Sequence, residues 1–232
     1  MREARSEKRV ASSQNKTGSG FQTVGRTFLS ALVLSIGFVC LAVRADDEKP
    51  MEVKLEPLFN GKDLTGFKVP NPNPWWKVVD GVLVGESDSA KKGNVIYTEK
   101  SYKDFVLEGD VRFPDDIDSG FIYGKVDKGK DLQVQIGVSR SLKVDMTGSI
   151  YYNNKYPDDA RAKGVDKLLK LNDWNTIRME VAGRTTKVWL NGQHVLTFNC
   201  PEDVRPGPIG LQIHPGVVMK VEFRNLRIAE LK

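Results

Sequence analysis

Residues 207–228, reading GPIGLQIHPGVVMKVEFRNLRI, carry the clearest alternation of apolar and polar positions in the chain. Side chains along a strand point to opposite faces in turn, so Leu211 and Ile213 share one face while Gly210, Gln212 and His214 share the other. Beyond the Pro215-Gly216 turn, Met219, Val221 and Phe223 form a second apolar row opposed by Lys220, Glu222 and Arg224. Leu226 and Ile228 then continue on the other parity. Such a slip is what one inserted residue near Asn225 produces, a β-bulge. This pattern predicts His214 and Gln212 on the open polar face of a sheet, within reach of a ligand.

Short strands fill the rest of the chain. Residues 57–64 read as a short strand leading into a turn, and Pro70, Pro72 and Pro74 then force a loop that delivers Trp75 and Trp76. Residues 76–84 are a predicted hairpin around Asp80-Gly81, a pair suited to the positive φ angles of a two-residue turn. Further strands are predicted over 94–98, 105–113, 120–126, 132–136 and 149–152. Within 132–136, Leu132, Val134 and Ile136 oppose Gln133 and Gln135. Residues 153–171 are polar and lack a pattern, so they read as a long surface loop of the kind that often contributes to sites. Strands over 175–181 and 186–190 follow, and Asn191-Gly192 turns the chain back through 194–198. No stretch sustains a helical period over three turns. The expectation is an all-β fold, a two-sheet antiparallel sandwich of jelly-roll type.

Charge changes meaning once the first residues are set apart. A basic start, an apolar run of about 16 residues over 28–43 and a Val-Arg-Ala ending before Asp46 read as a signal peptide over 1–45. The competing reading is a retained anchor, although the run falls short of the roughly 20 residues that span a bilayer. The 232-residue chain has 35 Lys and Arg against 30 Asp and Glu, but seven basic and two acidic residues lie in 1–45, which leaves 28 of each sign. The basic excess sits entirely in the leader, and nucleic acid is not expected as a partner. Nor is stable membrane insertion once the leader is cleaved. Cys40 leaves with it, so Cys200 has no partner for an intrachain disulfide. Residues 46–56 read as a charged tether and 57–232 as one sandwich domain, in a secreted, periplasmic or cell-surface protein.

A series of short motifs runs in order along that domain: residues 58–66 (LFNGKDLTG), Trp76 with Asp80-Gly81, residues 102–105 (YKDF), Ser119-Gly120, residues 134–136 (VQI), Trp174-Asn175, residues 190–192 (LNG), residues 207–214 (GPIGLQIH) and residues 223–228 (FRNLRI). In this series the chain resembles the 3-keto-disaccharide hydrolase domain family over nearly all of residues 57–231. The resemblance implies a concanavalin A-like sandwich, export, and carbohydrate or keto-sugar substrates. It also implies two departures, because family members usually have an acidic residue where this chain has Gln133 and an arginine where it has Gly124. Gln133 cannot take up a proton as a carboxylate does in glycoside hydrolysis.

His214 is the candidate catalytic residue, since an imidazole on an open face exchanges protons near neutral pH; the plain alternative is a structural histidine bonded to a carbonyl. Gln133, Gln135 and Gln212 are candidate substrate-binding residues, because amides both donate to and accept from hydroxyls. Equally, they would serve to solvate an exposed sheet face. Trp75 offers a flat surface to a sugar ring or simply packs, whereas Trp76 is expected in the core. Tyr123 joins the substrate-binding set. Asp110 and Glu180, on polar rows of their strands, are candidate acids. Asp115, Asp116 and Asp118 only loosely resemble a calcium loop, and no cofactor is expected. Two functions follow, an exported hydrolase-like enzyme acting on glycosides or 3-keto-disaccharides and a non-catalytic carbohydrate-binding module on the same sandwich.

Overall fold

The structure, a computed structural model, describes residues 48–127 and 130–232; the leader expected over 1–45 lies outside the described residues. Among them the strands are β1 (Glu56–Pro57), β2 (Phe67–Lys68), β3 (Trp76–Val79), β4 (Val82–Glu86), β5 (Asn94–Tyr102), β6 (Phe105–Arg112), β7 (Asp118–Tyr123), β8 (Leu132–Ser139), β9 (Val144–Asp145), β10 (Ile150–Tyr151), β11 (Asn175–Ala182), β12 (Thr185–Leu190), β13 (Gln193–Asn199), β14 (Gly207–Ile213) and β15 (Lys220–Glu230). They build two antiparallel sheets. One has eight strands in the order β13-β12-β11-β6-β15-β4-β3, with β1 beside β15; the other has seven in the order β10-β8-β7-β14-β5-β2, with β9 beside β8. The fold is the all-β antiparallel sandwich that the alternation implies.

The core lies between the sheets because each strand turns its apolar parity inward. Ile177, Met179 and Val181 of β11 and Val221 and Phe223 of β15 are buried from one side. Phe121, Leu132, Val134, Ile136 and Leu211 are buried from the other. Across the gap Phe121 meets Phe223 with ring centroids 5.8 Å apart, and Phe105 meets Tyr123 edge to face at 6.2 Å. Each such burial contributes about 1.5–3 kcal/mol.

The turn chemistry matches the sequence. Asp80 and Gly81 have φ of 49° and 79°, and Asn191 and Gly192 have 52° and 83°, the positive pair of a tight hairpin turn. The bulge falls where the parity slips: the register of β15 on β6 shifts between Arg224 and Arg227, and Asn225 has φ 51°. Leu226 thereby turns inward, and its Cδ2 lies 2.4 Å from where a Cβ on Gly109 would stand. Asn225 Nδ2 donates to Asp110 Oδ2 at 2.8 Å, fixing the bulged residue to the neighbouring strand.

The segment expected as a tether is bound to the fold from residue 48 onward. Glu48 pairs with Lys187, its carbonyl accepts from Trp189 Nε1 at 2.8 Å, and Met51 N donates to Glu180 Oε1 at 2.7 Å. Those partners are the outward-facing residues of β11 and β12, so the segment runs as a strap over the outside of the eight-stranded sheet. Trp189 is fully buried there, with His194 packed on it at 5.2 Å. The Lys187 ammonium, more than any other neighbour, holds the Glu48 carboxyl below the usual carboxylate range.

A branched residue tolerates the left-handed backbone of the bulge poorly. Asn225→Val is expected to lower stability by about 1–3 kcal/mol and Asn225→Gly by clearly less, as read from urea-unfolding midpoints.

Candidate functional site

The outer face of the seven-stranded sheet is assembled by register. Gln133 on β8 lies opposite Tyr151 on β10 and Ile122 on β7, Gln135 lies opposite Gly120, and Gly210 on β14 lies opposite Ile122. Residues directly opposite one another share a face. A cleft of about 200 Å³ opens on it, lined by Asp118, Gln133, Gln135, Ser139, Arg140, Ser141, Tyr151, Tyr156, Gln212 and His214. The surface loop over 153–171 supplies Tyr156. Gly120 leaves the space across which Gln133 lies, since a Cβ there would stand 2.5 Å from Gln133 Nε2.

Hydrogen bonds link the polar residues into one network. Gln135 Nε2 donates to Asp118 Oδ1 at 2.9 Å, and Arg140 N donates to Asp118 Oδ2 at 3.0 Å. Gln133 Nε2 faces Ser119 O at 3.1 Å, Gln135 Oε1 at 2.8 Å and Gln212 Oε1 at 3.1 Å. Tyr156 donates its hydroxyl to Gln135 Oε1 at 2.8 Å. The Arg140 guanidinium reaches back to Asp116, bonding its Oδ1 at 2.8 Å and its carbonyl at 2.7 Å. Burial pushes the phenols of Tyr151 and Tyr156 upward, and the Asp118 carboxylate adds to it. Both tyrosines therefore stay protonated at neutral pH and act as donors.

His214 stands at the rim, just past β14. Its turn is held by Gly216 N donating to Lys91 O at 2.8 Å, and by Gly93, whose absent Cβ would stand 2.5 Å from Pro215 N. The ring Nδ1 lies 2.6 Å from Pro215 O. A carbonyl oxygen only accepts, so in the neutral ring Nδ1 carries the proton and Nε2 the lone pair. That Nε2 is 4.0 Å from Asp118 Oδ2, with 33% of the His214 side chain exposed and only 7% of the Asp118 side chain. A proton acceptor and a buried carboxylate thus stand side by side in the cleft.

The sequence of the fold's domain and its architecture converge on one family. The profile described as 3-keto-alpha-glucoside-1,2-lyase-like domain matches residues 54–229. The chain belongs to that family. Among solved structures, a Parabacteroides distasonis protein described as a glycosyl hydrolase is 25% identical, with TM-score 0.60 over 77% of this chain and 100% of its own. A second protein of that organism with the same description is 23% identical, with TM-score 0.57 over 77% of this chain and 94% of its own. A Bacillus subtilis protein with a galectin-like fold is 10% identical, with TM-score 0.50 over 79% of this chain and 97% of its own. The last two likenesses concern the fold alone. No curated protein matches the chain significantly in sequence.

Of the residues that the sequence singles out, the cleft gathers His214, Gln133, Gln135 and Gln212 but not the other candidates. Tyr123 is a correction: it is fully buried between the sheets, its hydroxyl 2.8 Å from Thr186 Oγ1 on the opposite sheet. Its parity is that of Phe121, not of Gly120. Trp75 is also corrected, because it packs half-buried against the core beside β3 in the eight-stranded sheet, and its Nε1 is buried without a partner among the described residues. Trp76 is in the core, as expected, and donates to Asn94 Oδ1 at 2.8 Å.

Asp110 and Glu180 belong to the far face of the eight-stranded sheet. Burial tends to raise the Asp110 carboxyl, but bonds from Thr176, Asn225 and Arg224 outweigh it and hold it low. Glu180 is bound to Arg178 and Met51 N. The carboxylate of the cleft is instead Asp118, the first residue of β7, which follows the acidic pair Asp115 and Asp116 in sequence. Its signal was there, two positions before Gly120 and in the parity that meets Gln135. Asp115, Asp116 and Asp118 do not converge, and among the described residues no group of three His, Cys, Asp or Glu side chains is placed to hold a metal.

The family departures also gain a physical setting. Gly124 has φ 59° and a Cβ there would stand 2.5 Å from Val204 Cγ1, so an arginine does not fit this backbone. Gln133 faces three oxygens, two of which belong to groups oriented elsewhere by their own bonds. A carboxylate oxygen in place of that nitrogen would meet three acceptors. Gln133→Glu is therefore expected to cost about 1–3 kcal/mol at pH 7. The new carboxyl would have a folded pKa raised above its unfolded one, so the penalty is full above the folded value and shrinks as pH falls through it. Urea midpoints of variant and wild type should converge between pH 7 and pH 4.

Proposed function

We propose that this is an exported carbohydrate-active domain whose cleft binds the oxidised ring of a 3-keto-glucoside and eliminates its C1 substituent. A ketone at C3 acidifies the C2 proton. Base removal of that proton lets the C2–H electron pair form a C1–C2 double bond while the C1–O pair departs with the aglycone oxygen, which takes a proton from solvent. One base suffices, unlike glycoside hydrolysis with its two carboxylates. The single observation that carries this reading is the pairing of His214 Nε2, a free lone pair, with Asp118 at 4.0 Å.

In this scheme His214 Nε2 accepts the C2 proton while Nδ1–H stays on Pro215 O. The imidazolium so formed faces the Asp118 carboxylate, which stabilises it. Asp118 is kept in place by Gln135 and by Arg140 N. The protonated Tyr151 and Tyr156 supply the hydroxyl-bearing wall. The cavity of about 200 Å³ is below the roughly 300 Å³ of a drug-sized pocket, which suits one sugar ring with its aglycone outside.

A second reading, a non-catalytic carbohydrate-binding module, draws support from one feature: both Asp118 oxygens already accept protein donors. Turnover separates the two. The purified domain is expected to release nitrophenol from nitrophenyl 3-keto-α-glucoside. His214→Ala should slow it about 10²–10⁴-fold, and Asp118→Asn should also slow it, with saturable binding retained in both. Binding without turnover by the wild type leaves the module reading, and full turnover in His214→Ala removes the histidine from the chemistry.

A further inference from the structure

We infer that the amide pair Gln133 and Gln212 sets the specificity of the cleft, reading on the bound ring one hydroxyl that donates to Gln133 Oε1 and one that accepts from Gln212 Nε2. This rests on the cleft being a sugar site, as proposed above.

The polarity of the network is fixed at two points. Asp118 Oδ1 accepts, so the Gln135 atom 2.9 Å from it is Nε2 and Gln135 Oε1 is left to accept from Gln133 and Tyr156. Ser119 O is a backbone carbonyl, so the Gln133 atom 3.1 Å from it is Nε2. Gln133 Nε2 shares two hydrogens among three oxygens and accepts nothing, so the Gln212 atom 3.1 Å from it is Oε1, since Nε2 there would set two donors against each other. None of these three amides can flip without setting two acceptors or two donors against each other.

Gln135 is thereby fully committed to protein partners. It positions Asp118 and does not read the ligand. Gln133 Oε1 and Gln212 Nε2 are the two side-chain amide atoms of the trio with no partner among the described residues, one an acceptor and the other a donor. The cleft serines impose no such direction. Ser139 and Ser141 lie 3.1 Å apart and their hydroxyls rotate to suit either role. A ring lacking the matching hydroxyl would leave Gln133, which is 8% exposed, with an unmet acceptor. A loss of about tenfold to a hundredfold in affinity is expected, since a site built around a hydroxyl rejects the analogue without it.

The test uses methyl 3-keto-α-glucoside and its 2-, 4- and 6-deoxy counterparts. Their Kd values are measured by calorimetry on the His214→Ala protein, and their kcat/KM on the wild type. At least one deoxy sugar should bind tenfold or more weakly than the parent. Gln212→Met should bring that ratio to within about twofold while weakening the parent. Gln212→Glu keeps the acceptor toward Gln133 and deletes only the donor, so it should flatten the ratio at one ring position alone. A flat deoxy series, or ratios that survive both substitutions, overturns the inference even if turnover is normal. Intact ratios with no turnover overturn the elimination reading alone, and failure of all four sugars to bind overturns both.

Discussion

Each strand of the seven-stranded sheet is committed on one side to the hydrocarbon layer it shares with the opposing sheet. Period-two geometry then leaves the other side no choice. Phe121, Leu132, Val134, Ile136, Leu211 and Ile213 fill the interior, so Gly120, Gln133, Gln135, Gln212 and His214 share the exterior. A one-residue slip in β8 or β14 would exchange amides for aliphatic groups and erase cleft and core together. The core specifies the site without touching it.

On that exterior a single carboxylate organises the polar groups. Asp118 orders Gln135, Gln135 orders Gln133, and Gln133 orders Gln212, each step passing on the requirement that a donor meet an acceptor. Burial sharpens the requirement, because Gln135 is 1% and Asp118 5% exposed and a mismatched amide there has little water to turn to. A neutral glutamine at position 133 is thus the side chain that this arrangement calls for.

Much of this was legible in the chain itself. Asp80-Gly81 and Asn191-Gly192 announced their hairpins through local φ requirements, and the parity slip at Asn225 announced the bulge, because these features depend on neighbours in sequence. Parity likewise put His214 and Gln212 on one face. The misreadings share a different cause. Asp110 and Glu180 alternate as cleanly as Gln133 does, yet they face the far side of the other sheet, and alternation says which residues share a face but not which sheet a strand joins. Tyr123 was misplaced by one position of parity. Asp118 was hidden by Asp115 and Asp116, whose polar company makes a turn and conceals the start of β7. Trp75 needed the packing around β3 to be placed at all.

The strap that begins at Glu48 and runs into β1 has a consequence for orientation. It crosses the outside of the eight-stranded sheet, clamped by Lys187, Trp189 and Glu180, whereas the cleft opens on the outside of the seven-stranded one. Anything that grips the polypeptide ahead of residue 48 would therefore hold the domain by its back. The cleft would be turned away from the point of attachment, toward whatever diffuses past.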